Sequence, residues 1–185
     1  MYHIVSRGNH REEIFREDED YNVYLKFIKK TMERHPFILY SYCLMTNHVH
    51  LQIETKDQEI WLIMKYINSL YSKYYNEKYK VVGHLFQGRY HAEIIEDEVY
   101  ALQISRYIHL NPVKAKMVNN PSMYAWSSYS VYLGSRRSDI VTVDKILVYF
   151  DNRELYREFV ERQEEIPEEL LLLEVPDPMN TMNKV

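Results

Sequence analysis

His48-Val49-His50-Leu51-Gln52-Ile53-Glu54-Thr55 alternates polar and apolar side chains along its length. In an extended strand, successive side chains point to opposite faces. His48, His50, Gln52 and Glu54 therefore share one face, and Val49, Leu51 and Ile53 share the other. The apolar face requires a core. The polar face is either exposed or lines a site. Two imidazoles two residues apart on a strand can reach one metal ion; the same spacing also suits a histidine pair with ordinary hydrogen bonds.

Working outward, Phe37 to Leu44 is rich in Ile, Leu, Tyr and Phe and reads as a strand. Only Met45-Thr46-Asn47 separates it from His48, so the two should form a hairpin. Upstream, Met1 to Ser6 reads as a strand before the turn signal Arg7-Gly8-Asn9. From Glu17 to Arg34, Tyr21, Tyr24, Leu25, Phe27, Ile28 and Met32 recur at helical spacing, with acids in the first turn and bases near the end. Downstream, a long helix is expected from about Gln58 to Lys78, a loop between Gly83 and Gly88, a strand from Arg89 to Ile95, and a helix from Glu96 to about His109. Pro112 should mark the end of that helix or a restart. A short helix is expected near Val143 to Tyr149 and a charged one from Glu154 to Glu165. This order argues for an α+β domain with a mainly antiparallel sheet.

Three further stretches can carry chemistry. Tyr107 and Asn111 stand four residues apart, so on a continuous helix a phenol and an amide share a face. Alternatively Tyr107 packs in the core and Asn111 caps a new helix that begins at Pro112. Gly83-His84-Leu85-Phe86-Gln87-Gly88-Arg89-Tyr90 and Ser6-Arg7-Gly8-Asn9 combine permissive glycines with arginines that can pair with phosphate. Each also reads as an ordinary loop.

The 185 residues fit one domain of ordinary size. The single cysteine, Cys43, lies in an apolar run, which excludes a disulfide framework or a cysteine zinc site. No apolar run approaches the roughly 20 residues of a membrane span, and the first residues lack a signal-peptide core, so a cytoplasmic location is expected. The net charge of −4 is uneven: residues 151–185 hold ten acids against four bases, leaving residues 1–150 at +2. Strong nonspecific DNA binding by charge alone is therefore not expected, whereas a small shaped site is compatible. The 18 tyrosines suit either base stacking or a half-buried sheet.

Five segments occur in a telling order: His3 to Asn9, Tyr42 to Leu51, Gly83 to Tyr90, Tyr107 to Val113, and Trp126-Ser127-Ser128-Tyr129. Together they resemble the single-tyrosine HUH transposases, above all the REP-associated tyrosine transposases. The resemblance implies a ferredoxin-like or RRM-like antiparallel sheet with helices on its faces, spanning about residues 1–133; residues 134–185, whose own pattern reads as a helical extension and acidic tail, lie outside it. It implies that His48 and His50 bind Mg²⁺ or Mn²⁺, that Tyr107 is the nucleophile, and that Asn111 is the third ligand. It further implies cleavage and rejoining of single-stranded DNA beside imperfect hairpins through a 5′-phosphotyrosine. Arg7, Asn9 and Arg89 are then the candidate DNA contacts, and a homodimer is one expected assembly. A hairpin-binding module without catalysis and a replication-initiator or relaxase-type nickase are the competing readings.

Overall fold

The computed structural model describes residues 1–162. Four strands, β1 (Tyr2–Arg7), β2 (Phe37–Met45), β3 (His48–Thr55) and β4 (His91–Ile94), form one sheet in the order β2-β3-β1-β4. Every neighbouring pair is antiparallel. The helices are α1 (Asp18–Arg34), α2 (Ile60–Tyr79), α3 (Glu98–Lys114), α4 (Tyr129–Tyr132), α5 (Asp144–Leu147) and α6 (Arg153–Glu161). The succession β1-α1-β2-β3-α2-β4 with this strand order is the ferredoxin-like arrangement that the sequence led us to expect. Residues 163–185, which hold most of the expected acidic tail, lie outside the described residues.

The two faces of the sheet serve two separate cores. Leu39, Leu44, Val49, Leu51 and Ile53 meet Tyr24 and Ile28 of α1 and Ile63, Ile67 and Tyr71 of α2. On the other face Tyr40, Cys43 and Met45 meet Ile104, Tyr107 and Ile108 of α3, and Tyr132, Ile146, Tyr156 and Val160 continue that core outward. Leu39 and Tyr40 enter different cores by ordinary strand alternation, and the register shift between Leu39 and Ser41 keeps Ser41 on the same face as Tyr40, where it meets Gln52. Eleven of the 18 tyrosines are buried, so the tyrosine excess mainly builds the two cores rather than a base-stacking surface.

The Trp126–Ser128 segment closes the outer edge of the sheet. Leu44 N donates to Trp126 O at 2.9 Å, Ser128 N donates to Tyr42 O at 3.0 Å, and Cys43 bridges Ser127. An edge strand covered in this way cannot template pairing with another chain. The Ser128 hydroxyl also meets Nε2 of His109 at 2.8 Å, and Tyr156 OH meets its Nδ1 at 2.8 Å. Full burial holds the His109 imidazole neutral, with its pKa lowered to about 3.

Asp20 locks the start of α1 to the end of α2. Its buried carboxylate accepts from Arg16 N at 2.8 Å, Lys78 Nζ at 2.8 Å, Tyr74 OH at 2.9 Å and Tyr79 OH at 2.6 Å. Burial alone raises its pKa, but these donors outweigh burial and hold it below the usual aspartate value. Its stabilising contribution is therefore complete above the unfolded pKa and fades as pH falls below it. Asp20→Asn is expected to cost roughly 2–3 kcal/mol near neutral pH, somewhat less than a fully buried pair because Lys78 is partly exposed. Urea unfolding at pH 6 and pH 3 checks this: the gap between wild type and variant should narrow at pH 3, and an equal gap at both would refute it.

Two helix boundaries differ from expectation. α3 runs five residues past His109 to Lys114 and continues straight through Pro112. Only the last turn follows the proline, so one helical bond is forfeited, and burial of Pro112 and Asn111 offsets it. Asn111 is therefore not a cap; its Nδ2 donates to Tyr107 O at 2.9 Å within the same helix. α6 ends at Glu161 rather than Glu165, and Asn152 caps its start by accepting from Glu154 N and Leu155 N.

Candidate active site

The face bearing His48, His50, Gln52 and Glu54 is neither solvent-exposed nor wholly a site. α3 covers most of it. Gln52 is fully buried, donates to Ala101 O at 3.0 Å and accepts from Ser41 Oγ at 2.8 Å, so it anchors the helix. Glu54 accepts from Tyr40 OH and pairs with Lys145 at 2.8 Å. Those two side chains are structural. The histidines are left at the end of the strand where α3 leaves a cleft.

That cleft, about 250 Å³, is lined by Arg7, Arg11, Asn47, His48, Asn111 and Lys114 among others. His48 pairs in register with Arg7, and His50 with Val5, on β1. The His48 and His50 rings stand 4.9 Å apart, and His50 meets Tyr107 edge-on at 5.5 Å. The Tyr107 ring is 1% exposed and carries the Lys114 ammonium 4.3 Å from its centroid. Tyr107, Asn111 and Lys114 occupy one stripe of α3 across two turns, which requires the helix to pass through Pro112.

Electrostatics keep both histidines in the form that binds metals. Burial, then the nearby Arg7 guanidinium, lowers the His48 pKa to about 4. Burial, reinforced by His48, His3, Arg7 and Lys114, pushes His50 well below its ordinary value. Both are neutral imidazoles at neutral pH, and a metal ligand must be neutral. The three cations Arg7, Arg11 and Lys114 around a small cleft suit an anion such as a phosphodiester.

The residues present fit a divalent ion. Nε2 of His50 is buried without a hydrogen-bond partner, while its Nδ1 faces His3 Nε2 at 3.0 Å. His48 Nδ1 is held by Asn47 Oδ1 at 2.6 Å. Metal-bound histidines commonly engage their second nitrogen in this way. The Asn111 amino group is spent on Tyr107 O, which turns its carbonyl oxygen away from the helix backbone. Among the described residues no three His, Cys, Asp or Glu side chains converge to hold an ion; the amides of Asn47 and Asn111 line the cleft beside His48.

The remaining expected residues divide. Arg7 is in the cleft. Asn9 begins a short 3₁₀ turn and its N–H bonds Leu85 O at 2.8 Å, but its side chain does not line the cleft. Arg89 lies in a different cleft of about 700 Å³, with Trp61, Lys65, Asn68 and Tyr90. The two clefts share a wall: Gly8 bridges Phe86, and Gln87 N donates to Arg7 O at 2.8 Å. Sequence reading missed Arg11, Asn47 and Lys114. Lys114 carried a signal, since it follows Tyr107 by seven residues, but an assumed break at Pro112 hid it.

These features define a ferredoxin-like α+β domain with His48 and Asn111 at a small basic cleft and His50 and Tyr107 buried beside it. The chain belongs to the IS200-like transposases: the family model described as "Transposase IS200 like" matches residues 1–111. Its function is thus transposase-like. Among solved structures, a REP-associated tyrosine transposase bound to a REP hairpin is similar at 17% identity and a TM-score of 0.61, over 78% of this chain and 88% of that one. A Deinococcus radiodurans protein described as a candidate transposase shares 18% identity over 58% of this chain and 86% of that one, with a TM-score of 0.44. No curated protein matches the chain. Among the described residues, no helix is long and apolar enough to cross a membrane.

Proposed function

We propose that the protein cleaves and rejoins single-stranded DNA beside hairpins, with Tyr107 as nucleophile and His48, His50 and Asn111 as the protein ligands of a divalent ion. The observation that carries this reading is the clustering of His48 and Asn111 at one basic cleft with His50 and Tyr107 in ring contact, both buried, the histidines brought from β3 and the other two from α3. Oη of Tyr107 attacks the scissile phosphorus. The Oη–P bond forms, the P–O3′ bond breaks, and the 3′ oxygen leaves with a proton as a hydroxyl. The 5′-phosphotyrosine conserves the phosphodiester energy, so a later 3′-hydroxyl can attack it and restore the tyrosine.

A phenol ionises only near pH 10 or so, which makes it a weak nucleophile at neutral pH. A bound Mg²⁺ or Mn²⁺ supplies Lewis-acid neutralisation at the phosphate. The chain supplies the rest. Lys114 places a positive charge against the Tyr107 ring and favours the developing phenolate. Arg7 and Arg11 bring further positive charge to the cleft for the phosphodiester. Arg89 and Trp61 in the neighbouring cleft are placed to hold a flanking unpaired segment across the shared wall. The REP hairpin bound by the similar solved structure supports a hairpin partner here as well.

The test uses hairpin-bearing single strands labelled at either end, with Mg²⁺ or Mn²⁺. The 3′-labelled fragment should travel with denatured protein, and the 5′-labelled fragment should be released. Mn²⁺ should bind more tightly, because imidazole nitrogen suits it better than Mg²⁺. Hairpin binding with no adduct under either ion would favour the non-catalytic module instead.

A further inference from the structure

We propose that His3 is a positioning residue for the metal centre: it fixes the tautomer and orientation of His50 and is itself held by Glu93. This rests on the reading of His50 as a ligand. His3 is fully buried on β1, on the same sheet face as His50. Its Nε2 lies 3.0 Å from His50 Nδ1. The two rings are parallel within 8° with centroids 5.3 Å apart. That separation is too wide for face-to-face stacking. It matches two nearly coplanar rings whose nitrogens point straight at each other.

Only one proton can lie between the two nitrogens. If it belonged to His3, His50 would carry its proton on Nε2, a buried donor with no acceptor and no free lone pair for an ion. If it belongs to His50 Nδ1, then His50 Nε2 presents a bare lone pair and His3 accepts. His3 must then carry its own proton on Nδ1. That atom lies 4.0 Å from Glu93 Oε2 on β4, beyond hydrogen-bond distance, but the nearby carboxylate favours the proton on that side of the ring. The second Glu93 oxygen accepts from Tyr100 OH in the first turn of α3. The chain His50-His3-Glu93-Tyr100 thus links β3, β1 and β4 to the helix that carries Tyr107 and Asn111.

The alternative is that His3 merely fills space between the sheet and α3, where it also meets Tyr107 edge-on at 5.7 Å. Mn²⁺ affinity of the full chain, measured calorimetrically without DNA, separates the two. His3→Phe keeps a ring but no acceptor and should weaken Mn²⁺ binding roughly 10–100-fold. His3→Gln offers an amide oxygen where Nε2 stood and should restore nearly all of the affinity. Glu93→Ala should lie between wild type and His3→Phe. Nitrogen-15 spectra should show His50 protonated on Nδ1 in wild type and His3→Gln, and mixed tautomers in His3→Phe. If His3→Phe does not fold, the His3→Gln and Glu93→Ala affinities and the wild-type spectrum decide. Wild-type Mn²⁺ affinity in His3→Phe, or a folded His3→Gln as weak as His3→Phe, would overturn the proposal. A wild-type chain that binds no Mn²⁺ would overturn the metal reading and this role with it.

Discussion

Tyr107→Phe should yield a folded protein that binds Mn²⁺ and hairpin DNA normally yet forms no covalent adduct. The substitution removes one oxygen and keeps the ring that packs against His3, His50 and Ile108, so the second core should hold. Loss of a covalent nucleophile has no partial substitute, and strand cleavage should fall at least about 10³-fold. Gel assays with 3′-labelled strands measure this directly. The buried position of the tyrosine sharpens the expectation. Its backbone is fixed mid-helix, and Asn111 Nδ2 bonds its carbonyl, so the amide is tied to the residue that carries the phenol. An adduct that survives in Tyr107→Phe would place the nucleophile elsewhere and dissolve the argument.

His48→Ala and His50→Ala should both abolish metal-supported cleavage, while differing in stability. Removing a direct ligand costs more than the 10–100-fold loss typical of an outer partner. His48 lies at the partly open mouth of the cleft, and its loss should scarcely change the melting temperature. His50 is 1% exposed beneath it, touching His3 and Tyr107. Its truncation leaves a cavity and strands the hydrogen bond to His3, which together cost roughly 2–4 kcal/mol. Calorimetric Mn²⁺ titration and thermal melts of the two variants provide the comparison. Cleavage by either variant at the wild-type rate would remove the histidines from the chemistry.

Much of the fold was legible because its central hairpin obeys a simple period. The alternation from His48 to Thr55 assigned both faces of β3 correctly, and the expected break at Met45-Thr46-Asn47 gave the pairing with β2, whose strand takes in Met45 as well. The same parity on β1 puts His3, Val5 and Arg7 beside the histidines, but a six-residue strand with no polar alternation does not announce it. α3 misled for a physical reason. Proline disfavours a helical residue before it, yet near a helix end the penalty is one bond, and tertiary packing overrides it. That expectation left the shared face of Tyr107 and Asn111 open and hid Lys114. The C-terminal layer was opaque because Ile146, Tyr156 and Val160 are spaced too sparsely to reveal a shared core with α3. Asn9 and Arg89 were grouped with the site by motif alone, and only the folded chain assigns Arg89 to the adjoining cleft.

The passage of α3 through Pro112 has a consequence for mixtures of variant chains. It brings tyrosine, asparagine and lysine to the histidines of their own chain, so one polypeptide holds the whole constellation. Under the proposed roles, a Tyr107→Phe chain mixed with a His48→Ala chain is expected to form no adduct, and an adduct from the mixture would show that two copies share a site.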